Sequence, residues 1–197
     1  MAGRIHIVAA GLLAAGCILV SFLSPKGWHT SGNAESKYEM GSIRYNGHQS
    51  KSCGTIKAIK NHYLNDEYGL LMQSFSAEHY LGKHIRMTAW MKTRNVTDWA
   101  GLLLRVNKEG VKQPLYFDNM ADRKITGSGD WREYHVEADV PSDATSIVFG
   151  ALLNGDGQIW FDDFGFEIAG TAGTAADTER HLDASLRKEP ENLDFEK

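Results

Sequence analysis

The stretch that most constrains the fold of this chain is residues 129–168, GDWREYHVEADVPSDATSIVFGALLNGDGQIWFDDFGFEI. Tyr134, Val136, Ala138 and Val140 alternate with Glu133, His135, Glu137 and Asp139, a period of two that predicts a half-buried antiparallel strand. Pro141, Ser142 and Asp143 supply turn chemistry after it. The run SIVFGALL reads as a second strand, rich in β-branched and aromatic residues, and QIWFDDFGFEI as a third. Asn154, Gly155, Asp156 and Gly157 between them tolerate positive φ and predict a tight hairpin.

Further strands are expected at Cys53 to Ile59, Gly69 to Phe75, His84 to Lys92, Trp99 to Asn107 and Pro114 to Asn119, with a short helical turn over Ser76 to Leu81. Ile85, Met87, Ala89 and Met91 share one face, as do Leu102, Leu104 and Val106, and both sets read as core. Trp99, Leu103 and Arg105 then point the other way, toward a candidate ligand face. So many short strands separated by turn signals predict an all-β antiparallel sandwich of jelly-roll type.

The 197 residues give room for one ordinary domain plus tails. Residues 1–24 hold an apolar run, IHIVAAGLLAAGCILVSFLS, broken only by His6. This is the pattern of an N-terminal export or anchor helix, longer than a signal-peptide core and about the length of a span. Three readings stay open: a cleaved signal, an uncleaved anchor giving membrane attachment through residues 5–24, and a lipoprotein acylated at Cys17. All three place the domain, residues 25–169, outside the cytoplasm. Residues 170–190 read as a polar linker with a short helix over Asp177 to Lys188. Residues 191–197 alternate again and read as a returning strand.

With Cys17 in the leading segment, Cys53 is left without a disulfide partner and reads as a small buried residue. The net charge of −4, with scattered Lys and Arg, gives no basic field for nucleic acid. No H-E-x-x-H, G-x-S-x-G or Walker spacing is present, so no catalytic residue or catalytic cofactor is expected. Asn95-Val96-Thr97 is formally a glycosylation sequon.

The runs from Tyr80 to Arg86, WAGLLLRV, LYFDNMADRKITGSGDW and GQIWFDDFGFE together resemble a bacterial galactose-binding-like jelly-roll domain. Relatives of that domain occur as appendages of transcription regulators, and it is more distantly similar to xylan- and cellulose-type carbohydrate-binding modules. The similarity spans about Pro25 to Glu167. Those modules open with an N-x-x-F-E strand ahead of a P-x-G-W turn. Here Pro25-Lys26-Gly27-Trp28 has no such strand before it, and the missing piece stands at the other end as Asn192 to Glu196. The expectation is a circular permutation in which this segment fills the opening strand's slot; the rival is a strand donated to a neighbour, giving a strand-exchange oligomer.

The resemblance implies a structural calcium held by Glu196 with Asp162 or Asp163, against which stands a purely hydrogen-bonding role for both aspartates. It implies a carbohydrate or similar polar ligand, for which Trp90, Trp99, Arg105, Asp118 and Asn119 are the candidate binders. Asp118 and Asn119 serve equally well as a turn-forming pair before Met120. Trp131 and Trp160 match positions expected to be structural, and Trp28 is expected to lid one end of the sandwich. The leading expectation is a non-catalytic exported binding module. Its alternatives are an envelope interaction or sensory module and, third, a small hydrolase.

Overall fold

The computed structural model describes residues 25–59, 66–172 and 185–197. Nine strands build it: β1 (His29–Gly32), β2 (Tyr38–Arg44), β3 (Ser52–Ala58), β4 (Tyr68–Ser76), β5 (Lys83–Asn107), β6 (Tyr116–Asp118), β7 (Ile125–Val140), β8 (Ser146–Asn154) and β9 (Gln158–Thr171). Single 3-10 turns lie at Glu35–Lys37 and Glu78–Tyr80, the second within the expected helical turn. Every pairing is antiparallel, and the result is the expected all-β sandwich.

The 25-residue β5 organises both layers. Its first half pairs with β7 and β9, and β9 continues the layer through β3 to β2. Its second half pairs with β8 and β6, and β8 continues through β4 to β1. The two strands expected at His84 to Lys92 and Trp99 to Asn107 are thus one, bent between the layers where Asn95 takes φ 53° and the β7 register shifts. The loop after Asn154 corrects an expectation as well. Gly155 and Gly157 have the anticipated positive φ, but β8 and β9 belong to different layers, so the loop arches between sheets instead of closing a hairpin. β1 and β2 had no sequence expectation.

The alternations place the core as read. Ile85, Met87, Ala89, Met91, Leu102, Leu104, Val106, Val136, Ala138 and Val140 are all buried between the layers. Cys53 is buried too, though outside that cluster, and burial pushes its thiol well above its ordinary pKa. At one end an aromatic cluster closes the sandwich. The Trp28 ring lies 5.2 Å from Phe149, 5.3 Å from Phe164 and 4.7 Å from Phe195. Trp28 is therefore part of the packed core, not a lid over it.

The C-terminal segment packs against its own domain, but the expected strand over residues 191–197 does not form. Asn192 and Phe195 take φ 50° and 56°, which folds the segment into a turn. The Asn192 side chain ties that turn by accepting from Lys197 N–H (2.8 Å) and donating to the Lys197 and Lys26 carbonyls (2.9 and 3.3 Å). Phe164 N–H donates to Leu193 O at 3.1 Å, and Phe195 enters the aromatic cluster as a plug. Gly54 makes room for it, since a Cβ there would lie 2.7 Å from the Phe195 ring. The expected export helix over residues 1–24 lies outside the described residues, as does most of the expected linker helix. Among the described residues, no helix is long and apolar enough to cross a membrane.

Candidate functional site

The outer face of the β1-β4-β8-β5 layer carries an apolar groove of about 300 Å³. Strand pleating sends alternate residues outward: Tyr68, Leu70 and Met72 from β4, Val148 and Leu152 from β8, and Trp99, Leu103 and Arg105 from β5. Phe117 of β6 and Asn119 form one wall, and Ser31 of β1 closes the opposite side. Leu70, Trp99, Leu103 and Leu152 pack on one another as a small cluster separate from the main core. Gly101 and Gly150 occupy alternate positions on β5 and β8 beside this groove. Each sits where backbone approaches closely: a Cβ at Gly101 would meet Asn119 O at 2.7 Å, and one at Gly150 would meet Leu71 O at 2.2 Å.

Of the five residues expected to bind ligand, Trp99, Arg105 and Asn119 come together in this groove. Arg105 Nε donates to Asn107 Oδ1 at 2.5 Å, which fixes the guanidinium at one end. The Lys124 ammonium lies 5.8 Å from the Trp99 ring centroid at the other, within cation–π range. Asp118 and Trp90 are not part of it. Asp118 takes the turn role: it accepts from Met120 N–H (2.8 Å) and pairs with Arg123 (2.6 Å). Against the opposing effect of burial, those two contacts hold its carboxyl below the usual range. Asn119 also braces that turn, accepting from Ala121 N–H at 3.2 Å.

Trp90 lies on the outer face of the other layer, where its ring stacks on His48 at 3.8 Å and Trp131 flanks the pair. Trp131 is half-buried there instead of entering the core. Trp160 is buried but belongs to neither apolar cluster; Arg94 covers its ring at 5.3 Å, and its indole N–H has no partner among the described residues.

The carboxylates assigned to calcium converge on the loop before β3. Asp162 is fully buried, accepting from His48 N–H (2.9 Å), Ser50 Oγ–H (3.1 Å) and Asp163 N–H (2.8 Å). Glu196 reaches the same loop through Ser52 N–H at 2.6 Å, and this backbone bond lowers its pKa. Burial raises Asp162 to about 6 despite the bonds it accepts, and no Lys or Arg pairs with it among the described residues. A desolvated carboxylate without a counter-charge, beside a second carboxylate, fits a hard cation. Asp163 does not fit: it turns to the His48 ring at 2.9 Å. Among the described residues, no group of three or more His, Cys, Asp and Glu side chains could hold a metal ion, so most of any calcium shell would be loop oxygens.

Sequence reasoning missed Tyr68, Leu70, Met72, Phe117, Val148 and Leu152. A usable signal was present, because YGLLM and SIVFGALL are apolar on both faces, whereas an antiparallel strand with one solvated face alternates.

No family model matches the chain. It is 38% identical over 171 residues, 87% of its length, to an uncharacterized HTH-type transcriptional regulator, YbfP, of Bacillus subtilis (strain 168), and it spans 57% of that relative. Among solved structures it is similar to a xylan-binding domain from CBM 22, with 14% identity and a TM-score of 0.53 over 75% of this chain and 90% of that one. The CBM22-1 xylan-binding domain of Paenibacillus barcinonensis Xyn10C gives 12% identity and a TM-score of 0.52 over 76% and 90%. At these identities the likeness is one of fold: the jelly roll of carbohydrate-binding modules.

Proposed function

We propose that this chain is a non-catalytic binding module that takes a carbohydrate in the groove of Trp99, Leu103, Arg105 and Asn119. The observation that carries the reading is a groove of about 300 Å³ whose apolar floor includes the margin of the largely buried Trp99 indole, 9% exposed, with polar side chains at its edges. Sugar rings present apolar C–H faces to such a floor, and their hydroxyls hydrogen-bond to groups such as Arg105 and the Asn119 amide. Support comes from the fold shared with domains named as xylan-binding. Calcium at Asp162 and Glu196 has a stabilising role in this reading, far from the groove and outside ligand recognition. The domain is exported, its apolar N-terminal run serving as signal or anchor.

A second reading has its own observation, the relative named as a transcriptional regulator. In it the same groove recognises a small effector. A glycan array probed with wild type and Trp99→Ala separates the two. Oligosaccharide binding lost in the variant supports the module. Binding unaffected by the substitution removes the groove as the site, and no glycan binding at all favours the effector reading.

A further inference from the structure

The groove carries a charge pattern that the carbohydrate reading leaves unexplained. The chain has 25 acidic against 21 basic residues, yet no Asp or Glu lines the groove. Arg86 faces Glu137 and Glu167, and Arg123 pairs with Asp118 and Asp122. Arg105, by contrast, meets the neutral Asn107 and has no ion pair among the described residues. Lys124 is in the same position, its ammonium directed at the Trp99 ring.

Arg105 lines one end of the groove, and Lys124 stands outside its lining, beside Trp99 at the other. Trp99 and Arg105 are six residues apart on one face of β5, about 20 Å at the rise of an extended strand. Between them the floor is neutral and apolar, made by Leu70, Leu103 and Leu152. A single small anion could meet only one end. A ligand engaging both has repeated negative charges joined by a body with apolar faces.

Resting on the carbohydrate reading, we propose that the groove selects acidic oligosaccharides. A uronate-bearing chain lies along β5 with its ring faces over the apolar floor and against the exposed margin of Trp99. One carboxylate meets the Arg105 guanidinium, whose fork geometry matches it, and another meets Lys124. A neutral glycan makes the ring contacts but leaves both cations without partners.

The test is calorimetric titration of the full chain with tetragalacturonate, monomeric galacturonate and a neutral xylotetraose, repeated across a sodium chloride series. Tetragalacturonate is expected to bind about tenfold more tightly than xylotetraose at low salt, with the advantage shrinking as salt screens it. Arg105→Gln is expected to weaken tetragalacturonate binding far more than xylotetraose binding, bringing the ratio of the two affinities close to one and removing most of its salt dependence; Lys112→Gln, on an exposed loop, is expected to change neither affinity. Equal affinity for the neutral and acidic tetramers, insensitive to salt, overturns the acidic selectivity and leaves the carbohydrate reading standing. Monomer binding as tight as tetramer overturns the two-ended mode. If neither tetramer binds, the acidic selectivity falls, and the glycan array decides the carbohydrate reading on its own.

Discussion

Trp28 donates its indole N–H to the backbone carbonyl of Asn192 at 3.0 Å, joining two residues 164 positions apart. The bond lies beside the Phe195 plug, and Gln73 holds the preceding residue by donating to Glu191 O (3.0 Å) and accepting from Glu191 N–H (2.8 Å). The tail is thus anchored on β4, on β9 and on the turn before β1. Phe195→Ala opens a cavity in an aromatic cluster and is expected to cost about 3–5 kcal/mol. Deleting residues 191–197 is expected to cost more, since Trp28 and Gln73 would then lose buried partners. Chemical denaturation followed by tryptophan fluorescence checks both, and an unchanged midpoint after the deletion would sink the closure role.

How much of this was legible beforehand follows from what each signal measures. Period-two alternation reports one buried face, so β7 and the first half of β5 were read with their core sides correct. It cannot report which strands pair. β8 and β9 looked like a hairpin because the turn chemistry of Asn154 to Gly157 is the same whether a chain reverses within a sheet or crosses to another. The tail segment NLDFE alternates too, but Asn192 and Phe195 both adopt positive φ to reach Lys26 and the aromatic cluster, a tertiary demand that local pattern does not encode. Trp99 and Arg105 were placed together because they share a strand face. Trp90 was set beside them only by residue type, and the bend in β5 carries it to the other layer.

Asp162 makes stability depend on pH. Its folded pKa, raised to about 6 chiefly by burial, lies above the ordinary 3.8, so its contribution is fully present below the unfolded value and is lost as pH rises through about 6. Between about pH 4 and 6 the wild type, kept free of divalent cations, is expected to lose on the order of 2–3 kcal/mol relative to Asp162→Asn. Melting curves of both proteins across that range measure the difference. Parallel pH profiles would remove Asp162 as their source.

Calcium reverses that penalty if Asp162 and Glu196 hold it as proposed. Adding millimolar calcium at pH 7 is expected to raise the melting temperature of the wild type by several degrees, as mass action on the folded state requires. Glu196→Gln should blunt the rise and Asp162→Asn should abolish it, whereas Asp163→Asn should retain it, because Asp163 faces His48. A chelator titration of the same samples should run the shift backwards. An identical melting temperature with and without calcium in the wild type would leave the pair as a hydrogen-bonded clasp only.

Trp99 and Trp90 lie on different layers, so their substitutions should have different effects. Trp99→Ala removes the indole of the groove and is expected to weaken oligosaccharide binding by about 30-fold or more, the scale of a buried aromatic anchor. Trp90→Ala removes the ring stacked on His48 in the other layer and is expected to leave binding unchanged while costing roughly 1–2 kcal/mol of stability. Affinity electrophoresis alongside thermal melts reads both effects. Equal loss of binding in the two variants would contradict the division of the faces.

Gly101→Ala tests whether the shape of the groove, and not merely its aromatic content, governs binding. Ala100 and Leu102 on either side are fully buried, so Gly101 points outward beneath the wall formed by Asn119. The added methyl would stand 2.7 Å from Asn119 O and 2.9 Å from Met120 Cβ, closer than side-chain carbons tolerate, so the turn that carries Asn119 must shift. Met120 belongs to the edge of the main core, so the shift also disturbs packing there, and the expected stability cost is about 1–3 kcal/mol. Displacing Asn119 should nevertheless weaken oligosaccharide binding by about tenfold, since a polar group that fixes ligand orientation loses its place. Calorimetry on Gly101→Ala, with Gly170→Ala on the exposed end of β9 as the comparison, measures this; wild-type affinity in Gly101→Ala would show that the Asn119 wall takes no part in recognition.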